Sequence, residues 1–240
     1  MGAPDTRPFH FQQFSLYHHR STMKVGTDAV LLGIWTELGG VKDVLDIGTG
    51  CGVISLLLAA RSVSVKVDAV EIDSNSFEEA NGNFSASPFA GRLQVFHADI
   101  NYLVPDSGKK YDLVVSNPPF FINDHRPEHT GRKLARHTDT LHYDQLVEAV
   151  LRFLKPEGHF SVVLPYRESK VFLELAEQSG LHLQRRMLIF PKPCKEPNRI
   201  NLLLGMSAAV LETEKFIIRN EEGTFTKQYL DMVKNYYLST

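Results

Sequence analysis

A chain of 240 residues with 43% hydrophobic and 22% charged side chains can bury one sizeable core, which excludes a disordered or fibrous chain. A net charge of −2 leaves no global field for a polyanion, so a nucleic-acid partner has to be met by local basic clusters. Two cysteines, Cys51 and Cys194, are too few for a disulfide framework, and apolar runs such as Val53–Ala60 are too short to span a bilayer; a cytoplasmic protein without membrane contact is expected.

From the N-terminus, Phe9–Val25 carries Phe9, Phe11, Phe14 and Tyr17 in partial alternation, which predicts short strands or a hairpin. Thr27-Asp28 offers an N-cap for a helix running to about Leu38, where Gly39-Gly40 stops it. From Val41 onward strand and helix patterns alternate. Strands are predicted near Val44–Ile47, Lys66–Ile72, Leu93–His97, Leu113–Ser116 and His159–Leu164. Helices are predicted near Gly52–Arg61, Asn75–Ser85, Tyr143–Leu154 and Glu168–Gly180. Leu181–Phe190 and Arg199–Leu211 read as a closing antiparallel pair, and Thr226–Leu238 has helical spacing. The expectation is an α/β fold with a doubly wound, mostly parallel seven-stranded sheet. Residues 1–40 form a small N-terminal extension on a main domain of residues 41–240.

The stretch Val44-Leu45-Asp46-Ile47-Gly48-Thr49-Gly50-Cys51-Gly52-Val53-Ile54 reads as strand, tight turn and helix start, which lets a ligand approach backbone at the carboxyl edge of a sheet. A dinucleotide turn spaces its glycines G-x-G-x-x-G. Here Gly48, Gly50 and Gly52 are followed by Val53, a departure from that pattern. Acidic residues close the next two predicted strands, Glu71 within Ala69–Asp73 and Asp99 within His97–Ile100. Glu71 can take both hydroxyls of a ribose, because a carboxylate accepts two hydrogen bonds. Each acid alone reads as readily as a helix cap or surface charge, Asp73 especially. Together, at successive strand ends, they point to a nucleoside-like ligand.

Asn117-Pro118-Pro119-Phe120 follows the strand pattern Tyr111–Ser116 and falls on the same edge. An exocyclic amine on a heteroaromatic ring is a poor nucleophile, since its lone pair is delocalised into the ring. The Asn117 side-chain oxygen and the Pro118 carbonyl can accept both of its N–H groups and aim that lone pair at an electrophile. The prolines fix the turn, and Phe120 can stack on the substrate ring. His125 and His129 have metal-like spacing, but no cysteine or carboxylate pair completes a set, so no metal is expected. A hydrolase lacks its G-x-S-x-G elbow.

The D-x-G-x-G-x-G turn at Asp46–Gly52, with Asn117–Phe120, resembles the class I S-adenosylmethionine-dependent methyltransferases that act on planar amino groups, namely adenine-N6, guanine-N2 and protein glutamine-N5 enzymes. The opening Phe11-Gln12-Gln13-Phe14 and Met23-Lys24-Val25-Gly26-Thr27-Asp28-Ala29-Val30-Leu31-Leu32-Gly33 is similar to that of the bacterial tRNA(Val) adenine-N6 methyltransferases, and with Asn198-Arg199-Ile200 the likeness spans nearly the whole chain. Gln12 stands where that family is expected to carry Lys, and Cys51 where Ser or Thr is usual.

The resemblance implies S-adenosylmethionine as cofactor, held by Lys24, Thr27, Asp46, Gly48, Thr49, Gly50, Gly52, Glu71, Ile72, Asp99, Ile100 and Asn117, with the Lys24–Asp28 segment folded over it. Lys24 and Asp28 read equally well as a hairpin residue and a helix cap. The resemblance further implies Asn117, Pro118, Pro119 and Phe120 as the catalytic block and an adenine directly 3′ of a tRNA anticodon as substrate. RNA would be met by Arg126, Arg132, Lys133 and Arg136 after Phe120, and by Arg185, Arg186, Lys192, Lys195 and Arg199 around a Pro-rich loop; a solvated basic loop is the plainer reading of both clusters. tRNA is the expected partner of a monomeric chain with no obligate protein partner. The glutamine-N5 reading stays open although it usually needs an N-terminal helical domain, and the guanine-N2 reading although it usually needs a duplicated one.

Overall fold

The computed structural model describes residues 6–104, 108–119 and 141–238. A two-residue-per-strand hairpin, β1 (Phe9–His10) and β2 (Ser15–Leu16), leads to helix α1 (Thr27–Trp35). The alternating region follows as β3 (Asp43–Ile47), α2 (Val53–Arg61), β4 (Lys66–Glu71), α3 (Ser74–Ala86), β5 (Leu93–His97) and β6 (Tyr111–Ser116). The chain continues with α4 (Tyr143–Phe153), β7 (Leu154–Pro165), α5 (Ser169–Gln178), β8 (His182–Phe190), β9 (Arg199–Gly205), β10 (Glu212–Ile217) and α6 (Lys227–Val233).

The large sheet runs β10-β8-β9-β7-β6-β3-β4-β5. Strands β3 to β7 are parallel, β9 is antiparallel to both β7 and β8, and β10 is parallel to β8. The central strands are covered on both faces, which explains their unbroken apolar runs. On one face Val44, Leu113, Val115 and Val163 pack against α1, α2 and Phe84 of α3. On the other, Leu45, Ile47, Val114, Phe160 and Val162 meet α4 and α5, where Leu146, Val147, Val150 and Phe153 form one apolar face. Phe153, Phe160 and Phe172 are fully buried there, and each contributes about 1.5–3 kcal/mol of hydrophobic stabilisation.

Among the described residues the sheet has eight strands rather than seven. The extra one, β10, buries only Phe216 and carries Glu212, Glu214 and Lys215, the charged character of an edge strand, so it does not read as a strand pattern. Correspondingly β9 stops at Gly205 instead of running to Leu211. Helix α1 takes Gly26 as N-cap with no side-chain bond, so Thr27 is its first residue and not its cap. It ends at Trp35 because Thr36 turns extended while its hydroxyl donates to the Leu32 carbonyl at 2.8 Å.

Gln12, where Lys was expected, has a structural task. Its side-chain amide donates to the carbonyls of Lys234 and Tyr237, at 2.7 and 2.8 Å, just beyond α6. Phe11 stacks between Phe14 and Tyr237, so the two ends of the described chain are stapled together. Among the described residues no helix is long and apolar enough to cross a membrane.

Candidate active site

Ile47 and Ser116 are paired in the sheet, and the Ser116 hydroxyl donates to the Ile47 carbonyl at 2.8 Å. Gly48 and Asn117 therefore leave adjacent strands side by side, about 4.8 Å apart, at the carboxyl edge. The turn after β3 takes left-handed φ at Gly48, Gly50 and Gly52, at 70°, 57° and 86°. A Cβ on Gly52 would lie 2.4 Å from the Phe84 ring, so close helix packing demands glycine there; at Gly48 and Gly50 the same position is open to 4 Å, leaving bare backbone for a ligand.

Asp46 pins this turn from beneath. Fully buried, it accepts through Oδ2 from the hydroxyls of Thr49 and Ser55, both at 2.6 Å. Its Oδ1 is buried without a partner among the described residues. Burial pushes the carboxyl up to about 6 against those two hydroxyls, and the nearby Glu71 charge adds to the rise. The amides of Gly48 and Thr49 donate to the Val70 carbonyl, and Gly50 N–H donates to Glu71 Oε2 at 2.8 Å. Glu71 Oε1 accepts from Asp73 N–H at 2.9 Å, so its carboxylate locks the glycine turn to the end of β4 and keeps further lone pairs in reserve.

Asn117 is 9% exposed, and its Oδ1 is a second buried oxygen with no partner among the described residues. Pro118 is buried and Pro119 half-buried; Phe120 lies outside the described residues. Asp73 is the helix cap that the sequence allowed, accepting from Ser76 N–H at 2.8 Å. Asp99 accepts from Asn101 N–H at 2.8 Å and so shapes the turn after β5, while Ile100 is buried behind it and Ile72 is exposed at the end of β4.

Residues 17–22 form a strap fixed to α3. Asn83 exchanges two 2.8 Å bonds with the Tyr17 backbone and donates a third to the Cys51 carbonyl in the glycine turn. Glu79, 5% exposed, accepts from the amides of His19, Arg20 and Ser21 and from the Ser21 hydroxyl, at 2.6–2.9 Å. Thr22 N–H donates to the Ser76 hydroxyl. At the other end, Asp28 on α1 pairs with Arg199 at the start of β9, at 2.7 Å. The intervening residues, including exposed Lys24 and Thr27, thus pass from α3 to β9 across the carboxyl edge.

The basic residues divide. Arg126, Arg132, Lys133 and Arg136 lie outside the described residues, as do His125 and His129. Lys192 and exposed Lys195 sit in the loop after β8, on the carboxyl edge, where Lys192 donates to the Glu221 carbonyl. Arg185 is not brought to that edge: it lies over the Trp35 ring, 4.8 Å from its centroid, and pairs with Glu214 at 2.6 Å and with Glu37. Arg186, its neighbour on the opposite face of β8, donates to the Thr213 hydroxyl instead. Both stand several residues short of the strand end at Phe190.

The family profile of the methyltransferase small domain matches residues 19–177. A tRNA1(Val) (adenine(37)-N6)-methyltransferase of Phocaeicola vulgatus is 39% identical over 231 residues, which cover 96% of this chain and 97% of the relative. The chain belongs to this methyltransferase family. A relative of the same name from Vibrio vulnificus strain CMCP6 is 39% identical over 99% of this chain and 98% of its own. Among solved structures, a protein described as a predicted O-methyltransferase from Agrobacterium tumefaciens has a TM-score of 0.67 at 19% identity, covering 87% of this chain and 96% of that one, and shares the fold.

The strap's anchors in this methyltransferase escaped sequence reasoning. Ser76, Glu79 and Asn83 recur at helical spacing on the buried face of α3, where apolar residues are the norm, and that polar stripe is the signal that marks a buried hydrogen-bonding partner.

Proposed function

We propose that the chain transfers a methyl group from S-adenosylmethionine to N6 of adenine 37 in tRNA1(Val), with the edge between the glycine turn and Asn117 as its active site. The observation that carries this is two buried oxygens with no partner among the described residues, Asp46 Oδ1 and Asn117 Oδ1, at the ends of the paired strands β3 and β6 beside the exposed Gly48. A buried acceptor without a donor costs about 1–3 kcal/mol, so both are oxygens waiting for ligand N–H groups.

The residues present fit the cofactor. Its cationic amino group suits the negative charge of Asp46, its ribose suits the lone pairs left on Glu71, and its adenine suits the exposed face of Ile72 with Asp99 and the Ile100 amide. Open backbone at Gly48 and Gly50 admits it without side-chain clash. When bound, it supplies a sulfonium-activated methyl group, so neither metal nor covalent intermediate is required.

Asn117 Oδ1 accepts one hydrogen of the substrate amine and the Pro118 carbonyl accepts the other. Held this way, the nitrogen loses conjugation with its ring and turns its lone pair outward. The two prolines keep both acceptors in fixed register, so little reorganisation is needed in the transition state. Phe120 stacks on the flipped ring. The strap from His19 to Thr27 excludes water from one side, with Lys24 and Thr27 facing the cofactor. Lys192, Lys195 and Arg199 offer a phosphate track beside the edge. The enzyme acts as a cytoplasmic monomer on this reading.

The test is incubation of the protein with labelled S-adenosylmethionine and either unmodified total tRNA or a protein fraction. Label recovered as N6-methyladenosine supports the reading. Label confined to protein glutamine transfers the assignment to the glutamine-N5 class.

A further inference from the structure

The turn that joins β7 to α5, Tyr166-Arg167-Glu168, rises from the same carboxyl edge and has no role in the site described above. Its backbone is held firmly. Tyr166 N–H donates to the Asn198 carbonyl at 3.1 Å, and the Tyr166 carbonyl accepts from the Ser169 hydroxyl at 2.8 Å and from Ser169 N–H at 3.3 Å. Glu168 N–H donates to the Pro165 carbonyl, and the Glu168 carboxylate accepts from the Tyr143 hydroxyl at 2.7 Å.

The two large side chains on this rigid turn are left open. Tyr166 is 38% exposed and Arg167 is exposed. Among the described residues neither the Tyr166 hydroxyl nor the Arg167 guanidinium has a hydrogen-bond or ion-pair partner. Other surface arginines behave differently: Arg20 pairs with Glu78, and Arg219 covers the Phe225 ring at 4.1 Å. An aromatic ring and a guanidinium with no partner among the described residues, both on a fixed turn, are a low-entropy contact surface for a planar anionic ligand.

Their distance from the acceptor fixes what that ligand is. Ser116 pairs with Val162, so Asn117 is level with Val163 on the neighbouring strand. Tyr166 is three residues on from Val163 and one past the end of β7 at Pro165, so it stands within about 10 Å of the level of Asn117 in the strand direction. Lys195 shares this edge through the loop that Asn198 closes. An adenine brought out of a stack to reach Asn117 leaves its neighbouring base without a partner on one face, and single-stranded RNA loops are bound by giving such bases an aromatic surface.

We propose that Tyr166 and Arg167 form a subsite for the nucleotide next to the methylated adenine, with the Tyr166 ring stacking on its base and the Arg167 guanidinium holding its phosphate. This rests on the reading of the chain as a tRNA methyltransferase. The ring supplies sequence-tolerant affinity, because every base has a face to stack, and the guanidinium supplies charge without base readout.

The experiment measures tRNA affinity and the KM for tRNA at saturating S-adenosylmethionine. Tyr166→Ala is expected to weaken tRNA about tenfold while cofactor affinity measured by calorimetry holds, and Tyr166→Phe, which keeps the ring, recovers most of that loss. Arg167→Gln is expected to lower the salt slope of binding by about one. A tRNA with an abasic nucleotide on one side of the target adenine, tried on each side in turn, should lose with the wild-type protein what Tyr166→Ala loses, and lose nothing more with that variant. Additive losses for both abasic tRNAs overturn the stacking contact, as does a Tyr166→Phe variant as weak as Tyr166→Ala. Wild-type protein that binds and methylates tRNA while these variants match it removes the subsite alone; wild-type protein inert toward tRNA removes the tRNA reading and the subsite together.

Discussion

Substituting Asp46 by Asn separates the turn's two demands on that carboxylate. Ionising Asp46 in the folded protein is costly: burial, with Glu71 nearby, raises its carboxyl from 3.8 to about 6. Between those values the folded state holds a proton that the unfolded state has lost, so stability falls as pH rises through this window. About two pH units at about 1.4 kcal/mol each give a loss of about 3 kcal/mol between pH 4 and pH 7. Asn keeps an oxygen for the Thr49 and Ser55 hydroxyls and does not titrate, so its profile lacks that segment. Its own N–H2 takes the place of an oxygen that is already partnerless, which makes the change in pH dependence a cleaner readout than the absolute stability. Urea unfolding of both proteins across that range is the assay, since titrating groups not coupled to Asp46 cancel in the difference. Calorimetry gives the second arm. Wild-type affinity for S-adenosylmethionine should fall about tenfold per pH unit below 6, because binding a cationic amino group requires the carboxylate, whereas the variant should bind weakly with little pH dependence. Parallel stability profiles for the two proteins would refute the raised carboxyl of the buried Asp46.

Asn117→Ala should lower kcat by a factor on the order of 100–1,000, as when one aligned hydrogen-bonding group is lost from a transition state, with cofactor affinity little changed in calorimetry; near-normal single-turnover rates would remove Asn117 from the chemistry. Glu71→Ala removes the acceptor for Gly50 N–H as well as the proposed ribose contact, and should weaken S-adenosylmethionine about 10- to 100-fold; an unaltered dissociation constant would make Glu71 a purely local brace. Glu79→Ala frees three backbone amides of the strap, so hydrogen exchange at His19–Ser21 should accelerate at least tenfold and cofactor affinity should drop, while unaltered exchange would show that the strap is held elsewhere. In the wild-type protein, burial acts to raise Glu79, but the Ser21 hydroxyl and the amides of Arg20, Ser21 and His19 outweigh it and hold it below its ordinary 4.5. Its grip is therefore complete above that value and should loosen as pH falls through the lower folded value, visible as exchange that speeds only in acid.

The parallel core was legible because β3, β4, β5 and β6 are short apolar or β-branched runs punctuated by Gly, Asp and Asn, and because acids and amides at their ends share one edge by topology alone. Strand β10 was not, since an edge strand with one buried residue has no apolar alternation to read. Arg185 and Arg186 were grouped by adjacency in sequence, yet neighbours on a strand face opposite ways, and one serves Trp35 and two glutamates while the other serves Thr213. The strap failed for a different reason: its hydrogen bonds join residues about sixty positions apart, and nothing local in His19–Thr22 declares them.

The most direct test of the central claim uses two unmodified tRNA1(Val) transcripts, one with adenine and one with guanine at position 37, each incubated with labelled S-adenosylmethionine and digested to nucleosides. Label as N6-methyladenosine from the adenine transcript, with none from the guanine transcript, is the predicted result. Equal labelling of both transcripts, or label in any other nucleoside, would contradict it.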